Sequence, residues 1–318
     1  MPDEPRPRIP DEPPPTRRQR RRRAVDAARE FDGVLTLWRL GELGFDHAAV
    51  SREVENDRWQ RLGTHTVALH TGPLSDTARC WRAVWEVAEG CALVDGVSSL
   101  LTVGLQGFTE DVVHVSVPRG AQCPRVDGVR IHRVTRRAGE ALASGMPRSR
   151  VEVAALRGAA WASSDRQAAL ILCLVVQQRL TTAERLLSAL RTVRNRGRRP
   201  FVRQVLRDVA DGAHSLGELD FAAMCHRHGV PPPDRQVLRR TPRGRVYLDA
   251  RWAGSGLVVE IDGAGHRTGL AVSDDNLRQN EVSLERDTVL RIDLVGLRVH
   301  ETEFMAQVRR GVGFRRAA

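Results

Sequence analysis

Along this chain the apolar positions change period several times, and each change marks an element or a boundary. From Gly33 the sequence reads "GVLTLWRLGELGFDHAAVSREVENDRWQRLGTHTVALH". A helix over Leu37–Leu43 stops at Gly44, and a second starts from a cap at Asp46 and runs to about Asp57, with Ala49, Val50 and Val54 facing inward. Trp59–Leu62 and Thr66–Leu69 then read as two short strands, and a short helix over Ala24–Phe31 precedes the whole. This is the rhythm of a winged helix-turn-helix. In "TARCWRAVWEVA" the i, i+4 spacing of Trp81 and Trp85 predicts a core-facing stripe. An apolar segment and two strands, "VVHVSVP" and "GVRIHRV", follow and complete a small α/β unit. Helical periodicity governs residues 150 to 210 and includes "AALILCLVV", Ala168–Val176. That run is well short of the ~20 residues a membrane span needs, so it predicts a core helix.

The last third alternates differently. Ser215 followed by Glu218 forms a capping box ahead of "LDFAAMCHRH". Two β-rich runs, Arg245–Trp252 and Leu257–Asp262, flank "AGSG", whose glycines suit a tight turn. If Trp252 pairs with Leu257, then Leu248 faces Ile261 and Ala250 faces Val259, apolar against apolar. The same register sets Asp249 opposite Glu260, with Asp262 two residues on along the same face. Like charges at that spacing repel, so the cluster requires a divalent cation or arginine partners. Beyond it, "SDDNLRQNEVSLER" reads as an amphipathic helix capped by Ser273, "TVLRIDL" as a strand and "ETEFMAQVRRGV" as a final helix.

Charge sharpens the picture. All 50 basic residues are arginine, and against 39 acids they leave a net charge of +11. Such a balance suggests a polyanionic partner, DNA above all. The run "TRRQRRRRA" reads as a disordered tail to about Ala24, able to neutralise phosphates through Arg17, Arg18 and Arg20 to Arg23 or simply solvated. Glu53, Glu55 and Asp57 make the second helix of the winged region more acidic than basic, which leaves contact with a protein open beside contact with DNA. For DNA the candidates are His47, Ser51, Arg52 and Asn56 on the second helix, and Arg278 in the last third of the chain. Five cysteines, none spaced as Cys-x-x-Cys, read as reduced thiols of a cytoplasmic protein. No membrane segment is expected.

Residues 215 to 312, through "SLGELDF", "YLDARW", "VVEIDGAGH" and "DDNLRQNEV", resemble the very-short-patch-repair-endonuclease-like branch of the PD-(D/E)XK nuclease superfamily. The resemblance implies a restriction-endonuclease-like α/β fold and a Mg²⁺ or Mn²⁺ site. It implies Asp249 and Glu260 as core acids, Asp262 and Glu218 in support, and His266 as general base. Asp262 stands where the superfamily carries lysine, so either His266 serves as base or the site is inactive. Residues 31 to 205 resemble, more weakly, the AbiEi-type antitoxin region of type IV toxin-antitoxin repressors, which implies operator binding and a cognate toxin partner.

The expectation is thus a multidomain α/β protein. It has a tail at 1–23, a winged helix-turn-helix at 24–73, a small α/β domain at 74–150, a helical segment at 151–211 and a nuclease-type domain at 212–318. As a function, a Mg²⁺-dependent nicking endonuclease stands first, and a non-enzymatic repressor or antitoxin with an inactive nuclease fold is the alternative.

Overall fold

The computed structural model of the chain describes residues 16–142, 144–194, 197–210, 219–240, 246–262, 273–274, 276–280 and 289–313. It is a mixed α/β protein with three sheets, divided into two compact units. The first comprises Met1–Ala92 with Gln122–Asp127, and the second Leu93–Ala121 with Gly128–Ala318.

In the first unit, helix α1 spans Arg17–Ala28, where disorder is expected as far as Ala24. Two forces fold the arginine run. Thr16 and Gln19 form a reciprocal capping box, with Gln19 Oε1 2.8 Å from the Thr16 amide. Three of the arginines also find acceptors elsewhere in the unit: Arg17 and Arg21 on Glu53, Arg20 on the Gly44 carbonyl. Strand β1 (Val34–Thr36), α2 (Leu37–Glu42), α3 (His47–Glu55), β2 (Gln60–Arg61) and β3 (Thr66–Ala68) follow, with strands ordered β1-β3-β2. Asp46 caps α3 by accepting the Ala49 amide at 2.7 Å, as its position predicts. Gly44 takes φ +81, a conformation that glycine adopts without steric cost at the α2–α3 turn.

Helix α4 (Asp76–Ala88) closes this unit, whereas the sequence pattern groups it with the strands that follow. Its tryptophans explain why. Trp81 and Trp85 are buried, stack with centroids 4.9 Å apart and meet Phe31 edge-on. On the same helix the buried Glu86 accepts the amides of Thr64 and His65 at 3.0 and 2.8 Å, and so pins the β2–β3 turn.

The second unit begins with β4 (Leu93–Val94), α5 (Gly96–Leu101), β5 (Val113–Pro118), β6 (Val129–Val134), β7 (Ala141–Leu142) and β8 (Arg148–Ser149). These strands form a sheet ordered β6-β5-β4-β8-β7. Helices α6 (Val151–Trp161), α7 (Asp165–Gln177), α8 (Ala183–Thr192) and α9 (Arg199–Ala210) pack into one core with α5. Arg157, 2% exposed, is held between Asp95 at 2.8 Å and Glu140 at 2.6 Å, so its charge is paired inside that core. The arginine-rich connection between α8 and α9 serves structure: Arg198 ties Asp165 and the Ala162 carbonyl, and Arg199 reaches the Leu190 carbonyl.

The C-terminal part of this unit contains α10 (Phe221–Arg227), β9 (Arg235–Arg240), β10 (Val246–Trp252), β11 (Leu257–Asp262), a helical stretch at 276–280, β12 (Val289–Asp293), α11 (Leu294–Val299) and α12 (Glu301–Gly313). The strand order is β12-β11-β10-β9, antiparallel except for the parallel pair β11–β12. Strand β9 has no counterpart in the sequence reading, because "DRQVLRR" mixes charge into both faces of an edge strand. Val295 of α11 lies in the helical core, and buried Asp208 of α9 accepts from Arg298 at 3.3 Å. The α-helical segment and the C-terminal sheet therefore share packing and are not separate globules.

Candidate functional site

Loop 253–256 turns β10 into β11, with Gly256 at φ +72 and its amide 2.8 Å from the Trp252 carbonyl. The hairpin register pairs Trp252 with Leu257, Ala250 with Val259, Leu248 with Ile261 and Asp249 with Glu260, as the pattern predicts. Leu248, Ala250, Trp252, Leu257, Val259 and Ile261 are all buried in the C-terminal core. Alternation sends Asp249, Arg251, Glu260 and Asp262 to the opposite face. Parallel pairing with β12 then sets Arg291 beside Glu260 and Asp293 beside Asp262. Asp249, Glu260, Asp262 and Asp293 share this face with Arg251 and Arg291, and Arg235 of β9 stands opposite Arg251.

Their environments differ. Asp249 is 5% exposed, and Arg251 from the same strand forks onto it with Nε 3.2 Å from Oδ1 and Nη2 3.3 Å from Oδ2. Glu260, half-exposed, has Arg291 Nε at 3.7 Å. Asp262 is also half-buried. Asp293 is buried; burial pushes its carboxyl above the ordinary aspartate range, opposed by hydrogen bonds from the Gly296 amide at 2.6 Å and Ser273 Oγ at 3.0 Å. Gly296 is required there, since a Cβ would sit 2.5 Å from both Asp293 Oδ2 and Ser273 Oγ. Ser273, expected as a helix cap, is thus engaged with Asp293, the N-cap of α11.

One carboxylate lies in an arginine fork and another is committed to capping a helix. Among the described residues no group of three or more His, Cys, Asp or Glu side chains is disposed to hold an ion. His266 and Glu218, the expected base and supporting acid, lie outside the described residues. Arg278 is exposed on the helical stretch 276–280. Asp293 escapes the sequence reading because "RIDLVGL" looks like one continuous strand; the Asp-x-x-Gly spacing is the signal that a helix starts inside it.

A second group of candidates sits on α3. Arg52 and His47 are exposed and Ser51 is half-buried. Asn56 forms the helix end, its side-chain amide donating to the Arg52 carbonyl. Glu53 points the other way: it is 1% exposed, with Arg17, Arg21 and Arg58 at 2.9, 3.0 and 2.8 Å. Burial alone would raise its pKa, but hydrogen bonds from Arg58, Arg21 and Arg17 hold it at about 2. Glu53 is therefore not one of the surface acids of α3, contrary to the expectation from its sequence. On α1, Arg18, Arg22 and Arg23 remain exposed.

No family model matches the chain. A comparison with curated proteins finds no match. Among solved structures, a crystal structure of the RV2827C protein from Mycobacterium tuberculosis aligns over 62% of this chain and 75% of its own, at 18% identity and a TM-score of 0.37. A likeness that slight carries no argument about fold or function.

Proposed function

We propose that this chain is a DNA-binding protein whose N-terminal unit docks on duplex DNA as a winged helix-turn-helix and whose C-terminal sheet is a nuclease-type fold used for binding, as in a repressor or antitoxin. The order α1, β1, α2, α3 and a two-stranded hairpin that returns to β1 supports the winged-helix reading. In that geometry α3 enters the major groove, and His47, Ser51 and Arg52 meet base edges. The observation that carries the proposal is the capture of Glu53 by three arginines, which takes the central acid of α3 out of the phosphate's reach. The exposed Arg18, Arg22 and Arg23 add sequence-independent attraction. Fluorescence anisotropy with labelled duplex over a salt series tests it: binding that weakens with salt supports the reading, and no binding at about 50 mM salt or below rejects it.

A second reading is favoured by the Asp249–Glu260 register with Asp262 and Asp293 alongside: a Mg²⁺-dependent nicking endonuclease completed by His266 and Glu218. The Arg251 fork on Asp249 weighs against it, because it balances the buried acid without a cation. Plasmid nicking that EDTA abolishes separates the two.

A further inference from the structure

Helix α3 buries one side and offers the other. Val50 and Glu53 are buried in the first unit, whereas Ala48, Ser51, Arg52 and Glu55, spaced i, i+3, i+4 and i+7, form one outward stripe in which only Ser51 is half-buried. Ala48 and Ser51 are small, so neither holds the helix away from a surface it meets. The chemistry of the stripe lies in the other two. Arg52 and Glu55 carry opposite charges about one turn apart, yet among the described residues neither side chain forms an ion pair. Glu53 is captured by arginines, Asp46 caps the Ala49 amide and Asp57 lies beyond the helix end. Glu55 is therefore the one acid within α3 that faces outward.

An outward glutamate is an obstacle on a surface that must approach phosphates, unless it finds a donor there. In the major groove the donors are the amino groups of cytosine and adenine. Adenine N6 has the acceptor N7 beside it, which repels a carboxylate, while cytosine N4 has only C5–H beside it. A glutamate thus selects cytosine. Arg52 selects guanine, whose O6 and N7 match the guanidinium fork. Three residues of helix rise about 4.5 Å and base pairs stack about 3.4 Å apart, so the two side chains reach neighbouring pairs. We propose, resting on the reading of α3 as the helix that enters the major groove, that its target contains two adjacent G·C pairs, with Arg52 on the guanine of one and Glu55 on the cytosine of the other. On non-cognate DNA Glu55 meets no such amino group and is left among phosphates, so the same residue disfavours the wrong sequence.

Selection of duplexes from a randomised pool by the full chain, followed by anisotropy on the selected duplex, tests this. Adjacent G·C pairs are expected in the selected site. N4-methylcytosine in place of the cytosine assigned to Glu55 keeps Watson–Crick pairing but removes the amino hydrogen that faces the groove. It should weaken binding of the parent by about 10- to 100-fold, the range for a hydrogen bond to a charged group. Glu55→Ala should be indifferent to the methylated base, and Glu55→Gln should move the preference at that pair from cytosine to adenine, because an amide meets N6 and N7 together. Both side chains are exposed, so the variants should melt with the parent. Binding without a G·C preference, or a loss on N4-methylcytosine that survives Glu55→Ala, overturns the proposal and leaves DNA binding standing. Failure to retain any duplex at about 50 mM salt or below overturns both.

Discussion

Arg58 Nε lies 2.8 Å from Glu53 Oε2, while Arg17 and Arg21 share the other oxygen, so a single buried carboxylate joins α1, α3 and the start of the β2–β3 hairpin. The depressed pKa has a definite consequence. A carboxyl at about 2 in the folded chain and 4.5 unfolded contributes stability that is complete above pH 4.5 and is lost as pH falls toward 2. Glu53→Gln should cost roughly 2 to 3 kcal/mol at pH 7, allowing for screening of the partly exposed arginines, and should flatten the acid limb. Denaturant melts from pH 2 to 7 measure both; an unchanged acid limb would mean the ion pairs do not form.

The arginines of α1 divide into two sets. Replacing Arg18, Arg22 and Arg23 by Ala should flatten the dependence of log K on log salt by up to about 0.9 for each phosphate left unneutralised, with little change in melting temperature. Arg17→Ala should do the reverse, lowering the melting temperature and sparing the slope. Paired anisotropy titrations and melts distinguish the sets.

On α3 the exposed and capping side chains should also separate. Arg52→Ala is expected to relax sequence preference at one base pair by about 1 to 3 kcal/mol if its contact is bidentate. Asn56→Ala should leave preference intact, because its amide already closes the helix end on the Arg52 carbonyl. Competition binding against single-base operator variants reads this directly.

Gly296→Ala tests the C-terminal packing. The added methyl would strike Asp293 and Ser273 at 2.5 Å, and overpacking of this kind costs about 1 to 3 kcal/mol. A variant as stable as the parent in urea would show that the Ser273–Asp293–Gly296 contact is not maintained.

Strict alternation makes the hairpin legible: six apolar residues facing one another across "AGSG" leave a single register that buries them, and Asp249 opposite Glu260 follows. Asp46 as a cap and the i, i+4 tryptophans of α4 are readable for equally local reasons. The partners of the acids are not. Arg251 reaches Asp249 along its own strand, but Arg291 reaches Glu260 only through a parallel pairing with β12, which no local pattern encodes. Likewise, nothing in "TRRQRRRRA" indicates that Glu53 of α3 anchors it, since the acid and its arginines are brought together only by tertiary packing.

If the chain binds DNA and arginines balance the acids of its C-terminal sheet, plasmid should be bound without being cut. The most direct measurement incubates the parent, Asp249→Asn and Glu260→Gln with supercoiled plasmid in Mg²⁺ or Mn²⁺, with and without EDTA, and scores band shift and nicking in one gel. The parent is expected to shift the plasmid at low salt and leave it supercoiled. Nicking by the parent that EDTA abolishes and both substitutions eliminate would contradict it and establish the nuclease.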